Sequence, residues 1–146
     1  MRKNLNKLKN QSYKPESLLK GQSLNNECLS KYDQNFRFSF EFLDRNQGQN
    51  FKDWEQKGYL LKMNETLMEY CKEPIIRRLG DKFKEYGEFP KKSGFVPPSY
   101  IEDDVNWSAL HIMGKVVLGG FIYNNTFFVV FLDGEHQFWK CEKKHT

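Results

Sequence analysis

The chain has 146 residues, of which 38% are apolar and 16% aromatic, so it is long enough to bury the core of one domain. No run approaches the roughly 18 consecutive apolar residues of a membrane-spanning helix, and the mean hydropathy of −0.78 also argues against an integral membrane protein. The net charge of +4 is unevenly spread, because residues 1–20 carry six Lys or Arg whereas Lys115 is the one charged residue between positions 105 and 132. Basic ends suit an anionic partner such as RNA or an acidic protein, unless the lysines only solvate exposed termini.

Residues 1–30 are rich in Asn, Gln, Ser and Lys, and they predict a basic N-terminal arm that is either partly helical or ordered only on a partner. A single α+β domain is expected over residues 31–146. The arm lacks the apolar core of a secretory signal. Cys28, Cys71 and Cys141 form neither a disulfide framework nor a zinc pattern, so we expect reduced thiols, a cytoplasmic location, no metal site and no cofactor.

The first predicted elements are a strand and a helix. Residues 36–43 alternate Phe with Arg, Ser and Glu, which indicates a strand with one aromatic face. Apolar residues then recur at helical spacing over residues 50–71, with Asn50 as the N-cap and Pro74 beyond the end. Residues 73–104 hold Gly, Pro and Lys too often for a long element. Their regularly placed aromatic residues indicate an ordered loop packed on the body.

The C-terminal forty residues read as strands: SALHIM, KVVLGGFIY, TFFVVFLD and, as a fourth, HQFWKC. Asn124 and Asn125 form a two-residue hairpin loop. The near-continuous apolar runs predict central strands covered on both faces, one of them by the helix. Gly119 and Gly120 either leave room for that helix or mark a bulge. The expected fold is therefore α+β, with an antiparallel sheet of four or five strands packed on one main helix.

Acid–base chemistry is the main catalytic hypothesis. Extending the register from the Asn turn places His111, Lys115 and His136 on one face, where two imidazoles and an ammonium group suit cleavage of a phosphodiester. Glu135 points to the opposite face in an unbroken register, and joins them only if a bulge intervenes. The plainer alternative is that these histidines are ordinary hydrogen-bonded residues.

RNA contacts are expected where basic residues are interleaved with aromatic ones, since RNA binding needs charge for phosphate and rings for unpaired bases. An ordinary basic tail and a solvated arginine pair are the alternatives. The candidates for RNA binding are Trp107, Trp139, Lys140, Lys143, Lys144, His145, Arg77 and Arg78.

The run WSALHIMGKVVLGGFIYNNTFFVVFLDGEHQFWKCEKKHT, about a quarter of the chain, resembles the terminal sheet of the RelE/ParE-type toxins. These are small, microbial-RNase-like bacterial proteins, many of which cut messenger RNA on the ribosome. The ending EHQFW departs from theirs, with Gln137 in place of an Arg and Trp139 in place of a Tyr. The run also resembles the endings of small bacterial mobile-element proteins.

The resemblance implies a RelE-like fold and a ribonuclease toxin of a toxin–antitoxin or defence system, acting on RNA or the ribosome and held in check by a neutralising partner protein. The alternative is a non-enzymatic protein- or RNA-binding module of a mobile element or phage-defence locus. In that case the loop over residues 80–104 and the basic termini would engage the partner.

Overall fold

Five strands and two helices are formed by the residues that the structure, a computed structural model, describes: 34–74, 80 and 82–140. The predicted arm over residues 1–30 lies outside this part of the chain. The elements in chain order are β1 (Arg37–Ser39), α1 (Phe51–Gln56), α2 (Tyr59–Tyr70), β2 (Phe83–Gly87), β3 (Asn106–Met113), β4 (Val116–Tyr123) and β5 (Thr126–Asp133).

The five strands form one mixed sheet in the order β1-β5-β4-β3-β2. Strands β2 to β5 pair antiparallel with their neighbours, whereas β1 runs parallel to β5. The α+β class is therefore confirmed, and the expectation of a purely antiparallel sheet is wrong. The difference arises at β1, because the chain passes through both helices and β2–β4 before β5 lies beside it, and no hairpin joins the two strands.

Each face of the sheet is covered by apolar side chains, as the continuous apolar runs predict. One set, the helix-side cluster, packs under α1 and α2. Its buried members are Phe36, Trp54, Met63, Leu67, Tyr70, Phe83, Leu110, Ile112, Val116, Leu118, Ile122, Phe127, Val129 and Leu132. The other set, the loop-side cluster, comprises Phe42, Phe95, Ile101, Trp107, Ala109, Phe121, Phe128, Val130, Phe131 and Phe138.

A β-bulge interrupts the pairing of β4 with β5. From the Asn turn the pairs run from Tyr123↔Thr126 to Gly120↔Val129, and then continue as Gly119↔Phe131. The extra residue, Val130, makes two consecutive side chains of β5 enter the loop-side cluster. A Cβ on Gly120 would lie 2.0 Å from the carbonyl oxygen of Phe128, so only glycine fits this close approach. The bulge reading of the glycine pair is thus confirmed.

The predicted strand over residues 36–43 forms only at β1. Its backbone turns directly afterwards, where the Leu43 N–H donates to the Phe40 carbonyl. As a result Phe36, Phe38 and Phe40 contact the helix-side cluster, whereas Phe42 enters the loop-side cluster. Strict alternation over all four phenylalanines was wrong because the chain passes from one face of the sheet to the other.

The predicted helix is divided in two. Asn50 caps α1 as predicted, since its side-chain oxygen accepts the Asp53 N–H at 2.8 Å. Gly58 then adopts φ 76 and separates α1 from α2. Within the described ranges, no helix is long and apolar enough to span a membrane.

The region predicted as an ordered loop contains β2, which pairs with β3 at the sheet edge. Two of its other aromatic residues pack on the body as predicted: Phe95 is buried in the loop-side cluster and Phe89 contacts it. The predicted fourth C-terminal strand is wrong, since residues 134–139 form a turn and a bend. The backbone donors of that segment are taken by the carboxylate of Asp133 instead of a neighbouring strand.

Candidate functional site

Lys115 does not join the histidines. It lies in the turn between β3 and β4, where Gly114 adopts φ 50, and β3 folds back so that Met113 pairs with Val116. Its ammonium group binds the carboxylate of Glu135 at 2.5 Å, and both side chains are about half exposed. Their hydrogen bond raises the pKa of Lys115 and lowers that of Glu135. The predicted grouping of Lys115 with His111 and His136 is therefore wrong. That prediction extended the pairing with β5 from β4 into β3, as though the two were one continuous strand, whereas the chain turns at Gly114 and Lys115.

A fully buried carboxylate organises the segment after β5. Asp133 accepts the N–H groups of Gln137 at 2.9 Å, Phe138 at 2.8 Å and Glu135 at 3.3 Å. Burial raises the pKa of Asp133, against the opposing effect of these three donors and the positive charge of His136. The carboxylate thereby holds residues 134–138 in one compact turn, within which His136 adopts φ 56.

Two further contacts fix this turn to the body. The side-chain oxygen of Gln49 accepts the Gly134 N–H and also the indole N–H of Trp54. The carbonyl of Gln137 accepts the Gly94 N–H at 2.7 Å. His136, a residue type that tolerates positive φ better than most, is thus held by contacts on both sides of it.

The turn carries His136 across the sheet to His111. His111 of β3 pairs with Val117 of β4, and Val117 pairs with Asp133 of β5, so these residues form one row. Strands lie about 4.8 Å apart, which separates the backbones of His111 and Asp133 by about 10 Å. Because the chain after Asp133 turns back over β4, His136 and His111 line the same cleft.

The cleft is small and its charged groups are basic. Its volume is about 70 Å³, and its lining residues are Lys82, Lys84, Tyr86, Ala109, His111, Val117, His136, Phe138 and Trp139. Two lysines and two imidazoles therefore line a small, open space that suits a phosphate group. No carboxylate is among the lining residues.

The protonation of His111 reflects these surroundings. Burial lowers its pKa below the ordinary value of 6.5, and the positive charges of His136 and Lys82 lower it further. At neutral pH the imidazole of His111 is therefore held in its neutral form, which can accept a proton.

The two tryptophans predicted to contact RNA differ in exposure. Trp107 is 2% exposed and its ring packs against Phe89, Phe121 and Phe131, which leaves it no surface for a base. It belongs to the core, because β3 directs it into the loop-side cluster. Trp139 is 37% exposed and lines the cleft.

Lys140 is exposed and follows Trp139 directly. The other predicted RNA-binding residues lie outside the described part of the chain, namely Arg77, Arg78, Lys143, Lys144 and His145.

Three cleft residues were missed by the sequence reasoning: Lys82, Lys84 and Tyr86, which follow one face of the β2 edge. The sequence does carry a signal for them. In KFKEY the apolar Phe83 alternates with lysines, and a strand directs residues spaced by two to the same face. The strand was not predicted because it is short and the neighbouring glycines and lysines are typical of a loop.

A larger cavity of about 340 Å³ lies at the start of α1. Its lining residues are Leu43, Asp44, Arg45, Gln49, Asn50, Phe51, Lys52 and Leu132. Three of its polar side chains accept backbone or indole N–H groups: Asp44 accepts from Asn46 at 2.9 Å, Asn50 from Asp53, and Gln49 from Gly134 and Trp54. Among the described residues, no cluster of His, Cys, Asp and Glu suits a metal ion.

The geometry thus supplies one basic cleft with paired imidazoles and an aromatic rim. Comparison of the chain with models of protein families, with curated proteins and with solved structures finds no match.

Proposed function

We propose that the chain is an endoribonuclease that cuts RNA at the His111–His136 cleft. The observation that carries this proposal is the convergence of two histidines, 25 residues apart in sequence, with Lys82 and Lys84 around a phosphate-sized space. In this proposal the charged partners of the histidines are Lys82 and Lys84. Lys115 and Glu135 are not assigned this role, because they bind each other in a surface ion pair.

In the proposed reaction, neutral His111 takes the proton of a ribose 2′-hydroxyl group, and the 2′-oxygen attacks the adjacent phosphorus. The bond from phosphorus to the 5′-oxygen breaks, and protonated His136 gives its proton to that leaving oxygen. The products are a 2′,3′-cyclic phosphate and a free 5′-hydroxyl. Lys82 and Lys84 stabilise the additional negative charge that develops on the phosphoryl oxygens.

The same proposal extends to biological role. A RelE-like ribonuclease toxin, acting in the cytoplasm on RNA or ribosome-bound messenger RNA and inhibited by a partner protein, fits the α+β architecture and the basic cleft. The likeness of residues 107–146 to the RelE/ParE-type ending supports this extension.

The first prediction is that His111→Gln and His136→Asn each lower the cleavage rate at least 100-fold, because acid–base catalysis typically contributes a factor of about 10² to 10⁴. Asn tolerates positive φ, so the second substitution removes the imidazole without straining the backbone. The measurement is cleavage of end-labelled RNA by the purified chain, with and without ribosomes, and identification of the cyclic phosphate.

Lys115→Ala is the matched control, since it breaks the surface ion pair outside the cleft and should leave the rate within a few-fold of the original. The proposal fails if the intact chain leaves RNA uncut under both conditions, or if His136→Asn cuts as fast as the parent. Growth arrest that persists in both histidine variants would favour the non-enzymatic binding module.

A further inference from the structure

The rim of the cleft carries a stacked aromatic pair. The rings of Tyr86 and Trp139 lie 4.3 Å apart and within 4° of parallel. Tyr86 belongs to β2 and also contacts the buried ring of Phe138, so the lower ring of the pair is anchored in the loop-side cluster. The upper ring, Trp139, is consequently held in place before any ligand arrives.

Trp139 is the most exposed aromatic side chain among the described residues, at 37%. Tyr86 covers one of its faces, and the indole also lines the cleft. Leaving a large apolar ring in water is unfavourable, at roughly 25 cal/mol per Å². An exposed indole fixed beside a basic cleft therefore offers a ready surface for a planar partner.

Cleft and rim differ in what they can hold. The cleft, of about 70 Å³, is lined by Lys82, Lys84 and two imidazoles, which suits the negative charge of a phosphate. A nucleotide whose phosphate enters between Lys82 and Lys84 can place its base against Trp139, which lines the same cleft. A base paired in a duplex is stacked within its helix and cannot reach this ring.

We propose that the Tyr86–Trp139 pair is a stacking platform for an unpaired nucleobase, adjacent to the phosphate held in the cleft, so that the site selects single-stranded nucleic acid. This inference deepens the proposed ribonuclease function and rests on the same cleft. Stacking is sequence-tolerant, because every base presents a flat π-face, so the platform selects strandedness more than sequence.

The test is a binding titration of the full chain with a 2′-O-methyl RNA oligonucleotide, which lacks the free 2′-hydroxyl that cleavage requires. Tryptophan fluorescence is the readout. Trp54 and Trp107 are 0% and 2% exposed, so quenching by the oligonucleotide reports on Trp139. Two further probes have the same base sequence: a single-stranded DNA, and an RNA duplex that contains this strand.

We expect both single strands to quench the fluorescence and the duplex to do so weakly. Trp139→Ala and Trp139→Phe lack the reporting indole, so their affinities are compared with that of the parent by fluorescence anisotropy of a dye-labelled single strand. By this measure, Trp139→Ala should bind about tenfold more weakly, equivalent to about 1.4 kcal/mol, and Trp139→Phe should retain most of the affinity. Met68→Ala, which truncates a side chain 56% exposed on α2, is the matched control and should bind as the parent does.

Equal quenching by duplex and single strand, absence of binding, or unchanged affinity of Trp139→Ala would each overturn the platform. The two proposals fail separately. A chain that binds single strands with quenching but never cuts RNA contradicts the ribonuclease alone. A chain that cuts RNA, but whose Trp139→Ala variant binds as tightly as the parent, contradicts the platform alone.

Discussion

His111 has a lowered pKa because of where its side chain lies. Burial, His136 and Lys82 all disfavour its charged form, and burial has the largest effect. A cationic group whose pKa is lowered by folding contributes stability that is present above its unfolded pKa, near 6.5, and is lost as the pH falls through the folded pKa.

We therefore predict that His111 titrates below 6.5 in the folded chain, and that Lys82→Gln raises its pKa by removing a neighbouring positive charge. The ring-proton NMR signal of His111 measures both midpoints, and the acidic limb of the cleavage rate should move with them. Lys62→Gln, on the exposed side of α2, is the control and should leave the midpoint unchanged. A midpoint at or above 6.5 in the parent chain would contradict the prediction.

Single residues show where sequence reasoning about the site succeeded and where it did not. His111 and His136 were identified as candidates and do line one cleft, whereas Lys115 and Glu135 bind each other at its outside. The two histidines could be identified from the sequence because imidazole is the side chain that most often transfers protons near neutral pH. Which cation lies beside them depends on strand register, which a local pattern does not contain.

At the level of elements, the turn over residues 134–138 depends on one side chain. Asp133 supplies the acceptors that a neighbouring strand would otherwise provide, and Phe138 then packs against Gly119. A Cβ on Gly119 would approach the Phe138 ring to 2.9 Å, so the glycine makes room for the returning chain. The turn positions both His136 and Trp139.

We predict that Asp133→Ala lowers the free energy of unfolding by about 3 kcal/mol, because buried N–H groups would lose a charged acceptor. Asp133→Asn should cost less, since it keeps one acceptor oxygen. Urea denaturation measures both, with exposed Asp103→Ala as the control expected within about 0.5 kcal/mol of the parent. Equal stability of Asp133→Ala and the parent would show that the carboxylate does not hold the turn.

The helical segment illustrates what local chemistry predicts about an element. The N-cap at Asn50 was predictable, because a side-chain oxygen at that position satisfies an otherwise unpaired N–H. The helix is divided at Gly58, a residue type that tolerates positive φ. The apolar periodicity on both sides of it had favoured one continuous helix. β2 was missed because its five residues carry few apolar side chains.

At the scale of the whole described structure, the sheet separates the two apolar clusters and contributes side chains to both. Every residue of β4 and β5 is buried except at the ends next to the Asn turn. Loss of packing on the helix face must therefore weaken the strands that also support the cleft on the opposite face.

We predict that Leu67→Ala, on α2, lowers the free energy of unfolding by about 2–5 kcal/mol and does so for the whole sheet. Far-ultraviolet circular dichroism and tryptophan fluorescence should give the same midpoint in urea. Hydrogen exchange should show equal loss of protection in α2 and in β3–β5. Loss confined to α2 would indicate that the helices unfold independently, contrary to the prediction.

Local sequence patterns were enough to predict the α+β class, the strands β3, β4 and β5, the hairpin at Asn124 and Asn125, and the helix cap at Asn50. All of these depend on periodicity or turn chemistry within a few residues. The tertiary structure decided the parallel pairing of β1, the use of Asp133 as a backbone acceptor, and the meeting of His136 with His111 beside Lys82 and Lys84. The bulge at Val130 directs Asp133 to the loop side, and this one-residue shift arises in the pairing of β4 with β5 rather than in the pattern of β5 alone.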